Sequence, residues 1–148
     1  MIETTTEYVT ATVGGQLFGL PIAGVQDVFV LDRMTRVPLA TPEIAGVLNL
    51  RGRIVTAIDM RRRLGHVEGD APVKRMAIGI ECKGESYGLL IDSIGEVLKL
   101  SAASREDNPV NLDPRLARVS AGIHRLEDRL LVVLDVERVL DIGAQVAA

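Results

Sequence analysis

The chain is expected to be mainly β, a body of two similar units packed together with short helices at its margins. Three observations predict this. Phe18-Gly19-Leu20-Pro21-Ile22-Ala23-Gly24-Val25-Gln26-Asp27-Val28 returns as Tyr87-Gly88-Leu89-Leu90-Ile91-Asp92-Ser93-Ile94-Gly95-Glu96-Val97 at a constant offset of 69, and Gly46 through Leu64 returns as Gly122 through Leu140 at an offset of 76. Short β-branched runs alternate with glycine and proline turns about every 8–12 residues, the pattern of small barrels or a sandwich. Each unit opens with hairpin grammar. A solenoid is excluded, since it needs about three or more stacked repeats, and a lone half of about 70 residues would be marginal. The halves must therefore bury a shared seam.

The elements follow in order. Tyr8 to Val13 alternates with the period of a half-buried strand, Gly14-Gly15 supplies a turn, and Gln16 to Leu20 returns. Ala45 to Leu48 leads into the turn Asn49-Leu50-Arg51-Gly52, and Arg53 to Ile58 is a buried strand that stops at Asp59. Asp59 caps a short helix, Met60 to Leu64, which Gly65 ends. His66 to Lys74, with Gly69 and Pro72, connects the units. The second unit repeats the scheme: Met76 to Cys82, a turn at Lys83-Gly84-Glu85, then Ser86 to Ile91. Asp113-Pro114 starts a short helix. Arg129 to Leu134 is the matching strand, and Asp135 caps a last helix running to about Ile142, with Gly143 as its stop.

Composition narrows the function. The chain has 148 residues, 47% of them hydrophobic and 25% charged, with a net charge of −3. Nucleic acid binding would call for a basic domain with stacking aromatics, whereas aromatics are 3% and tryptophan is absent. No apolar run approaches the ~18 residues of a membrane span, and Met1 to Glu7 lacks the pattern of a signal peptide, so a cytoplasmic address without membrane insertion is expected. The single cysteine, Cys82, forms no internal disulfide and reads as a buried strand thiol.

Few residues suggest chemistry. His66 and His124 have no second ligand at metal-binding spacing, and no phosphate loop, nucleophile elbow or dinucleotide fingerprint is present, so neither metal nor cofactor is expected. Asp27, Asp59, Asp92, Glu96 and Asp135 could converge as the acid/base pair of a small enzyme. Against that, Asp59 and Asp135 already serve as caps, and Asp27 and Glu96 are repeat equivalents. Arg61-Arg62-Arg63 reads as a solvated helix face. In the Asn49 to Gly52 turn, asparagine and glycine have local roles, but Arg51 has none. Its counterpart is Glu127, a reversal of charge at an otherwise parallel position.

These residues carry a resemblance. FGLPIAGVQDV, the segment Val37-Pro38, Thr41-Pro42, Ile44 and Gly46 leading into NLRG, then IVTAIDMRRRLG and YGLLIDSIGEVL stand in the order and spacing of the CheW family, across Tyr8 to Leu140. The chain closely resembles that family of chemotaxis coupling proteins. The resemblance implies one domain over 8–142, made of two five-stranded SH3-like barrels, with a first copy at about 16–65 and a second at about 76–140. It implies a non-catalytic adaptor between the histidine kinase CheA, through its CheW-like regulatory domain, and the cytoplasmic tips of methyl-accepting chemoreceptors. Such a protein is monomeric in solution, can enter rings, and is recruited to receptor arrays; a non-flagellar chemosensory pathway is an alternative setting. Carried over by position, the kinase-facing patch comprises Asp27, Val28, Met34 and Arg51, and the receptor groove at the seam comprises Ile22, Val25, Gly46, Gly88, Ile91 and Ile94. Ordinary barrel core is the alternative reading for Ile22, Val25, Ile91 and Ile94. Two departures stand out. Asp27 replaces the family's usual glutamate and is one methylene shorter, so a pair with Arg51 needs closer backbones. Thr56 replaces a usual proline and leaves a backbone N–H for strand pairing.

Overall fold

A computed structural model describes residues 4–38, 40–65 and 75–141. The first sequence copy, together with the N-terminal strand that completes it, contains β1 (Thr5–Val13), β2 (Gln16–Pro21), β3 (Val25–Val30), β4 (Ile44–Leu50), β5 (Arg53–Asp59) and helix α1 (Met60–Arg63). The second contains β6 (Met76–Cys82), β7 (Glu85–Ile91), β8 (Ser93–Ser101), β9 (Arg105–Glu106), α2 (Pro114–Ala117), β10 (Ser120–Arg125), β11 (Leu130–Leu134) and α3 (Val136–Val139). The connector from His66 to Lys74, and the proposed end of the last helix at Ile142 and Gly143, lie outside the described residues.

The strands form two sheets, ordered β8-β1-β2-β11-β10-β9 and β3-β6-β7-β5-β4. Neither sheet corresponds to one sequence copy. The β1–β2 hairpin of the first copy pairs with β8 and β11 of the second, and the β6–β7 hairpin of the second pairs with β3 and β5 of the first. The copies have exchanged hairpins, and the exchange is symmetric. The parallel contact β2–β11 matches β7–β5. Register shifts recur at repeat-equivalent positions, between Val9/Ala11 against β8 and Val25/Asp27 on β3, and at Ile44/Gly46 and Ser120/Gly122. A bulge bends its strand and raises its twist, which small barrels need in order to curl.

Each sheet closes on itself. The chain leaving β3 crosses to β4, where Thr35 exchanges two backbone hydrogen bonds of 2.8 Å with Val47. The equivalent closure in the other sheet is β9, which pairs Glu106 with Ile123 and Arg105 with His124. The six-stranded sheet is thus a five-stranded barrel whose closing segment pairs over two residues. The longer connection of the second copy contains that extra pairing.

Local chemistry explains the elements. Three hairpin turns, Gly14-Gly15, Arg51-Gly52 and Lys83-Gly84, have both central residues at positive φ, 57°/82°, 53°/83° and 52°/81°. This is the geometry whose twist matches flanking strands, and a non-glycine residue there carries a steric cost of ~1 kcal/mol. Asp59, Asp113 and Asp135 accept hydrogen bonds from the backbone N–H groups of Arg62, Arg115 and Arg138, capping the three short helices. Thr56, free of proline's restriction, sits in β5 between Val47 of β4 and Tyr87 of β7.

Two cores result. The larger draws on both sheets, including Val9, Phe18, Leu20, Ile58, Met60, Ile78, Leu89, Ile123 and Val132. The smaller lies within the five-stranded barrel and comprises Leu48, Val55, Ala57, Ala77 and Leu90, with Phe29, Leu31, Met34, Ala45 and Leu50 packed against it.

Arg61-Arg62-Arg63 is not a solvated face as a unit. Arg61 forks to Asp92, with Nε to Oδ1 at 2.7 Å and Nη2 to Oδ2 at 2.9 Å. Arg63 donates to the carbonyls of Arg138 and Val139 at the end of α3, both at 2.9 Å. Only Arg62 is largely exposed, because the short α1 is wedged between β7 and the end of α3 and two of its three guanidiniums meet acceptors there.

Candidate interaction surfaces

Four of the five carboxylates considered for an acid/base pair are engaged with different basic groups. Asp27 pairs with Arg51 at 3.1 Å, Asp59 with Arg75 at 3.0 Å, Asp92 with Arg61 at 2.7 Å and Asp135 with Arg138 at 3.7 Å. Glu96, the equivalent of Asp27, is exposed. Among the described residues no group of three or more histidine, cysteine, aspartate or glutamate side chains is placed to hold a metal ion, and no helix is long and apolar enough to cross a membrane. Cys82 is partly buried at the end of β6.

Asp92 is a partly buried carboxylate held by several donors. Burial alone would raise its pKa, but hydrogen bonds from Arg61 and the Gly14 amide, with the charges of Arg61 and Arg75, outweigh burial and hold it below the usual aspartate range. Its Oδ2 accepts from Gly14 at 2.9 Å, and its own N–H donates to the Thr12 carbonyl at 3.0 Å. Asp92 follows β7 in one barrel, whereas Thr12 and Gly14 belong to the hairpin of the other. The carboxylate clamps the two barrels together.

Asp27, Val28, Met34 and Arg51, expected to form one patch, lie along β3, the segment after it and the β4–β5 turn of the five-stranded barrel. Arg51, held at positive φ in the β4–β5 turn, reaches Asp27 on edge strand β3; its side chain is 77% exposed against 21% for Asp27. Asn49 Oδ1 accepts from the Gly52 N–H at 2.9 Å and stiffens that turn. The shorter acid therefore still reaches Arg51. Met34 lies over Gly46, where a Cβ would meet Met34 Cγ at 2.7 Å. Beside it opens a cleft of about 620 Å³ between Asp32–Thr35 and Val47–Asn49. Val28 follows Asp27 directly and so projects from the other side of the same edge strand, 38% exposed. The structure joins Asp27 to Arg51 and Met34 to Gly46 around one small core, with Val28 across the strand.

Two neighbours of this patch were not singled out in the sequence. Val30 is 53% exposed two residues beyond Val28 on the same strand face, and the period-2 alternation of Val25 to Val30 is the signal that would have found it. Gln26 donates to Glu81 at 2.7 Å and accepts from Arg53 at 3.4 Å, a link between strands far apart in sequence that no local pattern announces.

The six residues expected to form a groove do not share one environment. Ile91 lies inside the larger core, and Val25 and Ile94, which are repeat equivalents, pack partly buried against it. Ile22, the repeat equivalent of Ile91, is 46% exposed in the turn between β2 and β3. Gly88 and Gly46 are buried and face the smaller core: a Cβ on Gly88 would lie 3.3 Å from the ring of Phe29. Three of the six residues, Val25, Ile91 and Ile94, thus gather at the shared core, while Ile22 is exposed outside both cores and the two glycines lie on the opposite side of the five-stranded sheet, Gly46 directly beneath Met34.

Comparison with known proteins places this geometry. The family model described as the CheW-like domain matches residues 7–143. The chain is 28% identical over 134 residues to the chemotaxis protein CheW of Klebsiella aerogenes, covering 90% of this chain and 81% of that protein. It is 28% identical over 140 residues to the chemotaxis protein CheW of Bacillus subtilis, covering 95% and 90%. Its fold is similar to the crystal structure of a scaffolding protein from Thermoanaerobacter tengcongensis, with a TM-score of 0.84 at 24% identity over 96% of this chain and 92% of that one.

Proposed function

Because the chain belongs to the CheW-like domain family, we propose that it is a non-catalytic chemotaxis adaptor that couples the histidine kinase CheA to the cytoplasmic tips of chemoreceptors. The observation that carries the kinase contact is the Asp27–Arg51 pair at the rim of the five-stranded barrel. Arg51 is exposed, fixed by a stiff two-residue turn and oriented by a neighbouring carboxylate, so its remaining N–H donors are available to an acceptor on a partner. Val28 and Met34 add small apolar contacts on either side. The second barrel has Glu127 and no positive-φ residue at the equivalent turn, so only one end of the molecule carries this arrangement. A two-barrel body docking on a two-barrel regulatory domain makes a heterologous contact, which can propagate around a ring.

The seam supports the receptor contact. Ile22 is exposed and Val25 and Ile94 are partly buried at the margin of the shared core, an apolar edge suited to the apolar face of a receptor helix. In this reading Ile91 shapes the groove from beneath, and Gly46 and Gly88 set the spacing of the sheet behind it. Recruitment to receptors would place the protein at the inner face of the membrane without insertion.

Pull-down with the kinase regulatory domain tests the first contact. The double substitution Arg51→Glu with Val28→Asp should weaken binding at least about tenfold, as expected when a charged anchor is reversed and an apolar contact becomes charged; full retained affinity would remove the assigned patch. For the seam, Val25→Arg should lower receptor-stimulated kinase activity while leaving kinase binding nearly intact. Equal loss of both would mean that the substitution had unfolded the barrel.

A further inference from the structure

A row of small residues crosses the five-stranded sheet beside Asp27. In register, Asp27 of β3 faces Gly79 of β6, which faces Gly88 of β7, then Ala57 of β5 and Gly46 of β4. Gly79 is buried in mid-strand and its φ is not positive, so no backbone requirement calls for glycine there. Glycine inside a strand is unfavourable relative to alanine and calls for a local cause. The cause is visible across the ladder: a Cβ on Gly79 would overlap Asp27 Oδ1. The Asp27 carboxylate lies in the space that a side chain at position 79 would fill, with Oδ2 directed to Arg51 Nη1 at 3.1 Å.

The second barrel provides an internal control. Its equivalent row reads Thr10, Gly19, Val133 and Gly122. Thr10 stands where the first barrel has Gly79, and its hydroxyl donates to the Glu96 carbonyl at 2.5 Å. With that space filled, the equivalent acid Glu96 is exposed, and the turn opposite carries Glu127 in place of Arg51. Glycine at this row position goes with the inward-leaning acid and the basic turn.

We infer that Gly79 is a positioning residue for the kinase-facing patch: by having no side chain it seats the Asp27 carboxylate over β6 and thereby orients Arg51 for its partner. The inference rests on the docking role proposed above for Asp27 and Arg51. It also explains how an aspartate, shorter by a methylene than glutamate, sustains the pair.

The test is a double-mutant cycle on the full chain, titrated against the kinase regulatory domain by calorimetry, with a structure of the Gly79→Ala variant. Gly79→Ala should lower affinity about fivefold, the scale of losing one exposed, prearranged pair, with an unchanged or raised melting temperature. In an Asp27→Ala background the same substitution should have no further effect, since nothing remains to displace. The variant's structure should show Asp27 and Arg51 out of hydrogen-bond reach. An intact pair in that structure, or a loss that persists undiminished in the Asp27→Ala background, would overturn the positioning role. A broken pair with full affinity in Gly79→Ala, Asp27→Ala and Arg51→Glu alike would instead overturn the docking role on which it rests.

Discussion

Substituting Asp92 tests how the two barrels are held together. In the native chain its carboxylate accepts three hydrogen bonds, from Arg61 Nε at 2.7 Å, Arg61 Nη2 at 2.9 Å and the Gly14 amide at 2.9 Å. The two side chains are 19% and 16% exposed, so water replaces little of what is lost. Removing one partner of a buried ion pair costs ~3–5 kcal/mol, because a charge is left without its counterpart. The residual exposure reduces this, and Asp92→Ala should cost about 2–4 kcal/mol at neutral pH, or roughly 5–15 °C in melting temperature for a chain of this size. Asp92→Asn keeps an acceptor for Gly14 but turns an amide toward Arg61, and should cost less, about 1–2 kcal/mol. Guanidinium titration followed by circular dichroism reads both. The pH dependence has a definite sign. The folded pKa of Asp92 lies below its ordinary 3.8, so its stabilisation is complete above that value and is lost as pH falls through the folded value. Asp92→Ala should therefore flatten the acid limb of the stability curve. A loss below ~0.5 kcal/mol would refute the clamp, and strict additivity with Arg61→Ala would refute the contribution of the ion pair to it.

Two further outcomes are expected. His124 is buried between Ser104 Oγ, at 3.1 Å from Nδ1, and the Tyr8 hydroxyl, at 3.4 Å from Nε2, with the Tyr8 ring set edgewise. Burial first and the nearby Arg105 second lower its pKa against the opposing pull of Glu106, so the unfolded chain takes up a proton below about pH 6.5 that the folded chain refuses. Stability should fall as pH drops below that value, and His124→Gln should flatten the decline in urea melts; an unchanged slope would remove His124 as its source. Hairpin exchange makes a second forecast: a fragment ending at Gly65 lacks β6 and β7, the two strands that join β3 to β5. It should show no cooperative unfolding transition by circular dichroism, and a cooperative one would mean that the first copy folds without its exchanged partner.

Much of the fold is legible in the sequence because its signals are local. Hairpin turns at Gly14-Gly15 and Lys83-Gly84, the caps at Asp59, Asp113 and Asp135, and the glycine stop at Gly65 each act within a few residues, and all stand where their chemistry puts them. The repeat shows that two equivalent bodies exist. It does not show which hairpin belongs to which body, since β1 and β6 have matching patterns and either sheet would accept either one by local criteria. Pairing across the copies is decided by the cores, a property of the whole chain. The same limit applies to Arg61 and Arg63, which look solvated in a run of three arginines because Asp92 and the end of α3 are remote in sequence. At the candidate surfaces, the charge reversal between Arg51 and Glu127 draws attention to a turn whose arginine the structure pairs with Asp27. The seat that Gly79 offers Asp27 was invisible, because a glycine's role there is defined by a side chain on another strand.

The adaptor role is tested most directly by co-sedimentation. Kinase CheA is mixed with membrane vesicles carrying chemoreceptors, with and without this chain, and the kinase in the pellet is measured. The account predicts that the chain raises the pelleted kinase, and that Arg51→Glu with Val28→Asp abolishes the increase while the variant itself still pellets with the receptors. Pelleted kinase that is the same with and without the chain would contradict the account.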